Sequence, residues 1–156
     1  MITDSNQLAH WLNAEFGLRR GDVVALYMAN RPEFIMTWLA MAKLGVTTAF
    51  LNHNLRGGAL EHCINISEAR LLVFDAPLND AVHELGTVLE GVPRIVLGDS
   101  LRSDGLTCER AVQARSGAIL SAALEMRWYP TTRPTKDCRD GVSLHDPLAL
   151  VYTSGA

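Results

Sequence analysis

The sequence predicts an α/β fold, a mostly parallel sheet built of βαβ units with helices on both faces. Short apolar runs rich in β-branched residues alternate with segments whose apolar residues recur at helical spacing. This alternation is typical of right-handed βαβ units around a parallel sheet. Of the 156 residues, 48% are hydrophobic and 20% are charged, which indicates a globular protein with a core.

The first predicted helix begins at a side-chain cap from Asp4 or Ser5 and ends at Gly17, which suits a left-handed C′ position. Its apolar face consists of Leu8, Trp11, Leu12 and Phe16. The continuous apolar run that follows, residues 23–28, predicts a strand.

A second helix is predicted after a cap at Asn30, with Pro32 in its first turn and Gly45 at its end. Its predicted buried face consists of Phe34, Ile35, Trp38, Leu39 and Ala42. Residues 34–51 form a nearly apolar stretch of 18 residues, about the length of a membrane span. Lys43 interrupts it, and we therefore expect a buried helix that leads into a strand at residues 46–51.

The remaining elements are shorter. A third helix is expected on the face of Leu60, Cys63, Ile64 and Ser67, and a fourth on that of Val82, Leu85 and Leu89. Strands are predicted at residues 71–74 and 94–97. Residues 99–147 are expected to form an irregular insertion, with one or two helices between Cys108 and Met126.

Charge and cysteine content exclude several classes. The formal net charge of −3 argues against nucleic acid as a partner. The three cysteines are widely spaced and contain no Cys-x-x-Cys pair, which favours free thiols over disulfides or a zinc site. The first residues lack the basic and apolar regions of a secretory signal.

The last residues carry the strongest functional signal. A buried strand is predicted at residues 148–151, and Tyr152, Thr153, Ser154 and Gly155 follow it. A strand that leads into Thr-Ser-Gly is typical of loops whose N–H groups cradle phosphate, although the same residues also form ordinary turns.

The order of several motifs resembles the adenylate-forming superfamily. These motifs are Arg-Gly-Asp-Val-Val-Ala-Leu at 20–26, Met-Ala-Asn-Arg-Pro-Glu-Phe at 28–34, Trp-Leu-Ala-Met-Ala-Lys-Leu-Gly at 38–45, Asn-His-Asn-Leu-Arg-Gly at 52–57 and Asp-Pro-Leu-Ala-Leu-Val-Tyr-Thr-Ser-Gly at 146–155. The fourth motif is similar to the fatty acid transport protein branch, also called very-long-chain acyl-CoA synthetases. The chain departs from the superfamily pattern at Ala156, where a second threonine is expected.

The resemblance implies a fatty-acid–CoA ligase that uses ATP, Mg²⁺ and coenzyme A. It implies that Tyr152, Thr153, Ser154 and Gly155 belong to the nucleotide-binding loop, and it places no catalytic or metal-binding residue in this chain. Residues 1–156 then correspond to part of the large N-terminal domain, truncated at both ends and inactive alone. The parent protein would associate with the endoplasmic reticulum, peroxisomal or plasma membrane through a segment outside this chain.

Two alternatives remain open at this point: a non-catalytic binding or interaction protein, and another acyl- or aryl-CoA ligase.

Several individual residues have more than one possible role. His53 either contacts a ligand at the carboxyl end of the sheet or is a polar loop residue. His62 and Cys63 are neighbours on a helix and cannot face each other, so we expect no catalytic pair. The segment Trp128-Tyr129-Pro130 is expected to anchor its loop, with an exposed apolar patch as the alternative. Arg19 and Arg20 are expected to form a solvated turn, with a lipid or phosphate contact as the alternative.

The terminal strand leads to a physical expectation. An apolar parallel strand is normally buried on both faces, and this chain does not supply obvious neighbours for both sides. We therefore expect an exposed apolar edge at residues 148–151, and poor solubility of the isolated chain.

Overall fold

The structure is a computed structural model that describes residues 1–97, 119–121 and 126–152. The helices within these residues are α1 (Ile2–Phe16), α2 (Pro32–Lys43), α3 (Gly57–Ser67) and α4 (Asn79–His83). The strands are β1 (Val23–Tyr27), β2 (Thr47–Leu51), β3 (Leu71–Asp75), β4 (Arg94–Leu97), β5 (Ile119–Ser121) and β6 (Ala149–Val151).

These strands form a six-stranded sheet in the order β5-β4-β3-β1-β2-β6, and every described pair is parallel. The α/β prediction is therefore confirmed. Short β-branched runs made the strands recognisable, and the helix-length segments between them provide the crossovers that parallel pairing needs.

Two apolar cores cover the two faces of the sheet. The first core joins α1 and α2 to one face and includes Trp11, Leu26 and Met41. The second joins α3 and the segment around α4 to the opposite face and includes Leu60 and Phe74. Adjacent strand residues alternate between the two cores, as parallel strands buried on both faces require.

The predicted caps of α1 and α2 are both wrong, whereas Pro32 at the start of α2 and the predicted end of α1 are confirmed. The α1 helix begins at Ile2, and Ser5 lies buried inside it with its hydroxyl donating to the Ile2 carbonyl at 2.7 Å. The α2 helix is preceded by Arg31 in extended conformation, without a side-chain cap. Gly17 adopts φ 60° and donates its N–H to the Asn13 carbonyl.

The apolar face predicted for α2 is only partly buried. The residues packed against α1 and the sheet are instead Met36, Thr37, Ala40 and Met41. Ile35 and Leu39 are exposed, and Trp38 is half-buried in edge-to-face contact with Phe50, 5.4 Å between ring centroids. The helix is apolar over most of its circumference, so periodicity alone could not select the buried side.

The apolar stretch at residues 34–51 forms α2 and β2, as predicted. Residues 119–121 form β5, so the helix expected there is wrong, and the rest of the segment between Cys108 and Met126 lies outside the described residues except for Met126 itself. A three-residue β-branched and apolar segment is too short for periodicity to identify.

Residues 126–132 run along α1 as a strap. Gln7 donates to the Tyr129 carbonyl at 3.0 Å, and Asn6 donates to the Thr131 carbonyl at 2.7 Å. The anchor of this segment is Tyr129, which packs against the first core, whereas Trp128 is exposed. The expected loop anchor is therefore confirmed at half-buried Tyr129, whereas Trp128 beside it is an exposed apolar side chain.

Candidate functional site

The carboxyl edge of the sheet is the candidate site. All strands are parallel, and the segments that follow β1, β2, β3 and β6 therefore emerge at the same edge. The helix after β1 covers one face, and the elements after β2 and β3 cover the other. Reversals of this kind at neighbouring strands create the crevices where parallel α/β proteins bind ligands.

Tyr152 lies at this edge, immediately after β6. The register pairs Phe50 with Val151, which places Tyr152 opposite the last residue of β2. Its ring is half-buried and packs against the second core. Burial raises the pKa of Tyr152, the nearby Cys63 raises it further, and a hydrogen bond with Ser67 partly offsets the rise. Tyr152 is thus a neutral packing residue that fastens the end of β6 to α3.

Thr153, Ser154 and Gly155, the other residues expected in the nucleotide-binding loop, lie outside the described residues. Their role therefore remains a prediction. What the structure contributes is the position of the residue that precedes them.

An ion-pair cluster spans the crevice between β1 and β3. The Arg31 guanidinium contacts Asp75 at 2.8 Å and Glu33 at 2.9 Å. Asp75 is the last residue of β3 and is buried, and these two carboxylates raise the pKa of Arg31. The cluster holds the segment after β1 against the end of β3. Sequence reasoning missed it, because Asp75 lies 44 positions from Arg31 and stands in none of the motifs, although Arg31 belongs to the motif at 28–34.

A second network spans β1 and the segment after β2. The Tyr27 hydroxyl donates to the Leu55 carbonyl at 2.7 Å, and the Arg56 guanidinium donates to that hydroxyl at 2.7 Å. Arg56 also donates to the His53 carbonyl. Burial raises the pKa of Tyr27, and the positive charge of Arg56 opposes that rise. The network rigidifies the Asn-Leu-Arg-Gly segment that carried part of the family resemblance.

At the opposite, amino edge of the sheet, a cavity of 370 Å³ is lined by Arg20, Gly45, Thr47, Asp146 and Leu150, among others. Arg20 contacts Asp146 through two hydrogen bonds, Nε to Oδ2 at 2.7 Å and Nη2 to Oδ1 at 3.0 Å. The expectation that Arg20 lies in a solvated turn is confirmed, and its exposed side chain also pairs with Asp146, a contact that the sequence did not reveal. This cavity is remote from the carboxyl edge, so its size alone does not identify the functional site.

The other candidate side chains are not brought together. His62 is exposed and Cys63 is half-buried beside Tyr152, in agreement with the expectation that they form no pair. The carbonyl of His53 accepts a hydrogen bond from Arg56 at 2.7 Å, and a ligand role for its side chain stays a prediction. Within residues 1–97, 119–121 and 126–152, no group of three His, Cys, Asp or Glu residues is arranged to hold a metal ion. None of the helices in these same ranges is long and apolar enough to cross a membrane.

Comparison with known proteins agrees with the sequence motifs. A sequence model of the family described as AMP-binding enzyme matches residues 2–156. Long-chain fatty acid transport protein 2 of Rattus norvegicus is 32% identical over 97% of this chain and 23% of its own length. Long-chain fatty acid transport protein 1 of Bos taurus is 36% identical over 97% of the chain and 22% of its own length. A very long-chain fatty acid transport protein of Cochliobolus heterostrophus is 41% identical over 96% of the chain and 20% of its own length.

Solved structures share the fold. An anthranilate CoA ligase in complex with anthranoyl-AMP superimposes with a TM-score of 0.77 at 21% identity, over 99% of this chain and 25% of that protein. A long-chain-fatty-acid–CoA ligase from Archaeoglobus fulgidus gives a TM-score of 0.70 at 23% identity, over 99% of this chain and 27% of that protein. The chain therefore spans about a quarter of these structures and about a fifth of the curated relatives.

Proposed function

The chain belongs to the AMP-binding enzyme family, and from that premise we propose that its protein is an ATP-dependent fatty-acid–CoA ligase of the fatty acid transport protein type. Residues 1–156 form part of its N-terminal nucleotide-binding domain. The observation that carries the proposal is the course of β6, which ends at Val151 and leads to Tyr152 on the carboxyl edge of a sheet whose described pairs are all parallel. Residues that follow such a strand enter the position where this class of fold binds phosphate.

The proposed reaction has two steps. The carboxylate of a fatty acid attacks the α-phosphate of ATP, which yields an acyl-adenylate and pyrophosphate. The thiol of coenzyme A then attacks the acyl carbon and releases AMP. Negative charge accumulates on the phosphates in the first step, and donors fixed in advance around them lower its barrier.

The roles assigned to this chain are limited to binding and orientation. The hydroxyls of Thr153 and Ser154 would donate to phosphate oxygens, and Gly155 would allow close backbone approach. Tyr152 fixes the start of this loop through its packing on α3. Mg²⁺ would accompany ATP and neutralise phosphate charge, but the described residues do not offer it a ligand set. We therefore assign no step of the reaction to a metal held by this part of the chain.

The substrate class is supported by the names of the relatives. The three curated proteins compared above are long-chain or very long-chain fatty acid transport proteins. Association of the full-length protein with the endoplasmic reticulum, peroxisomal or plasma membrane is part of the same proposal, through a segment outside residues 1–156.

The test is a panel of acids offered to the full-length protein that contains this chain, with ATP, Mg²⁺ and coenzyme A. We expect long-chain and very-long-chain acyl-CoA to form, with AMP and pyrophosphate as coproducts, and little product from benzoate-type acids. Preferential ligation of an aromatic acid would assign the protein to another branch. Absence of every acyl-CoA product, with the protein folded, would contradict the proposal.

A further inference from the structure

We infer that Arg20 and Asp146 form a clamp at the amino edge of the sheet that positions β6, and through β6 the phosphate-binding loop that follows it. This inference rests on the proposed function, because it assigns to the clamp an effect on ATP binding. Both are positioning residues, since each lies at the edge of the sheet opposite the loop.

The contact has the geometry of a specific pair. Two parallel hydrogen bonds of 2.7 and 3.0 Å join the guanidinium to the carboxylate. Bidentate pairs of this kind fix orientation as well as distance. The same carboxylate accepts the Ser143 N–H at 3.0 Å, which closes the turn in front of β6. Asp146 therefore links the turn to Arg20 through one side chain.

The clamp reaches across a strand. Arg20 precedes β1 and Asp146 precedes β6, yet β2 lies between these two strands in the sheet. Gly45, just before β2, lies beside this crossing: a Cβ at that position would overlap Cγ2 of Val142 at 2.5 Å and would be in ordinary contact with the Cβ of Arg20 at 3.5 Å. The pair thus sets the distance between β1 and β6 directly and does not rely on β2 alone.

Strand β6 depends on such anchors. Within the described residues it pairs with β2 only, over three residues. Leu148 is 52% exposed and Val151 is 69% exposed, so little packing restrains the strand. Three consecutive residues before β6 are each held by a hydrogen bond. Asp146 pairs with Arg20, and the Thr47 hydroxyl donates to the Pro147 carbonyl at 2.8 Å. The Thr48 N–H donates to the Leu148 carbonyl at 3.2 Å.

The consequence reaches the other edge of the sheet. Tyr152 is six positions after Asp146, a distance of about 20 Å in extended backbone, and three of the residues between them form β6. A shift or slip of β6 at its first residue moves the loop by a comparable distance. Misplacement of a binding group by about 1 Å is enough to cost a large factor in rate.

The chain supplies a matched control. Arg70 contacts Asp22 at 2.8 Å on the same edge of the sheet, and the side chains of Arg70 and Arg20 are similarly exposed. This pair ties the start of β3 to the turn before β1 and has no contact with β6. Arg70→Gln therefore removes a comparable ion pair and leaves the Arg20–Asp146 clamp unchanged.

The experiment compares the full-length protein with its Arg20→Gln, Arg70→Gln and charge-reversed Arg20→Asp/Asp146→Arg variants. Hydrogen exchange is measured by mass spectrometry on peptides that cover residues 148–152, and KM is measured separately for ATP and coenzyme A. For Arg20→Gln we expect several-fold faster exchange in β6 and a KM for ATP raised by roughly tenfold, with KM for coenzyme A unchanged. Arg70→Gln should change neither quantity, and charge reversal should restore part of both.

The outcomes separate this inference from the proposed function. If the wild-type protein ligates no acid, the proposed function is contradicted. The hydrogen-exchange rates of residues 148–152 still test whether the clamp holds β6. Unchanged exchange in Arg20→Gln, or equal acceleration in Arg70→Gln, would overturn the clamp. Faster exchange in β6 without any change in the KM for ATP would overturn its link to nucleotide binding.

Discussion

At the scale of single residues, Asp146 shows the strongest electrostatic perturbation with a defined cause. The hydrogen bonds from Arg20, and then that from the Ser143 N–H, lower the pKa of Asp146 from 3.8 to about 2. A carboxyl whose pKa is lower in the folded state adds stability above its unfolded value, and this contribution is lost as pH falls toward the folded value.

The resulting prediction concerns pH. The wild-type protein should exceed Asp146→Asn in thermal midpoint at pH 5, and the difference should narrow between about pH 4 and about pH 2. Thermal unfolding monitored by circular dichroism at several pH values measures the difference. A difference that stays constant over this range would show that the ion pair does not set the pKa of Asp146.

Gly45 is a second residue with a specific constraint. Its φ is 67°, and a Cβ would lie 2.5 Å from Cγ2 of Val142. We expect Gly45→Ala to lower the free energy of unfolding by roughly 2 kcal/mol, from backbone strain and overlap together. Gly58→Ala is the control, because Gly58 lies in α3 with open space around it, and alanine there should be neutral or stabilising. Denaturant unfolding measures both variants, and an equal loss of unfolding free energy in Gly45→Ala and Gly58→Ala would contradict this explanation. The double variant Val142→Ala/Gly45→Ala removes the overlap and leaves the backbone strain, so it separates the two causes.

At the scale of elements, a polar joint connects α1, α2 and the strap. Asn6 accepts from the Lys43 ammonium at 2.7 Å and donates to the Thr131 carbonyl at 2.7 Å, and it is buried. Lys43 donates also to Ser5, and burial, followed by the nearby Arg133, lowers the pKa of this lysine. The joint therefore depends on neutral acceptors around a partly desolvated cation.

Removal of its central residue should be costly. Asn6→Ala leaves the Lys43 ammonium and the Thr131 carbonyl each short of a partner, and we expect a loss of about 1–3 kcal/mol in the free energy of unfolding. Gln7→Ala, one residue further and half-buried, should cost less than about 1 kcal/mol. Urea unfolding of both variants provides the measurement, and a larger loss for Gln7→Ala would contradict this account of the joint.

The elements also show what sequence patterns can predict. Apolar and β-branched runs located β1 to β4 because two-sided burial imposes a continuous apolar signal. A similar run located β6, but the burial predicted for it is wrong for the described residues, in which Val151 is 69% exposed. The same reasoning failed for the face of α2, which is apolar nearly all round, and for β5, which is only three residues long. At the site, the motif placed Tyr152 correctly after a strand. The pairs Arg20–Asp146 and Arg31–Asp75 were inaccessible, because partners distant in sequence become neighbours only through the strand order.

At the scale of the whole molecule, the exposed apolar side chains near β6 matter most. Leu148, just before β6, and Val151 on it are exposed, in agreement with the apolar edge expected from the sequence, and Ile35 and Leu39 on α2 are exposed as well. We predict that the isolated chain associates or binds a hydrophobic dye, and that Val151→Lys reduces association by blunting the edge. Light scattering after size exclusion measures this effect. Monodisperse wild-type monomer at high concentration, with a sharp melt, would contradict the prediction.

The most direct test of the central claim is fatty-acid-dependent exchange of pyrophosphate into ATP, which isolates the adenylation step in the full-length protein. We expect exchange with a long-chain fatty acid, and a decrease of about tenfold or more in Ser154→Ala, since a phosphate donor is removed. Thr3→Ala, an exposed substitution on α1, should leave the rate unchanged. Exchange that is absent in the wild type, or equal in Ser154→Ala, would contradict the claim that β6 leads into a phosphate-binding loop.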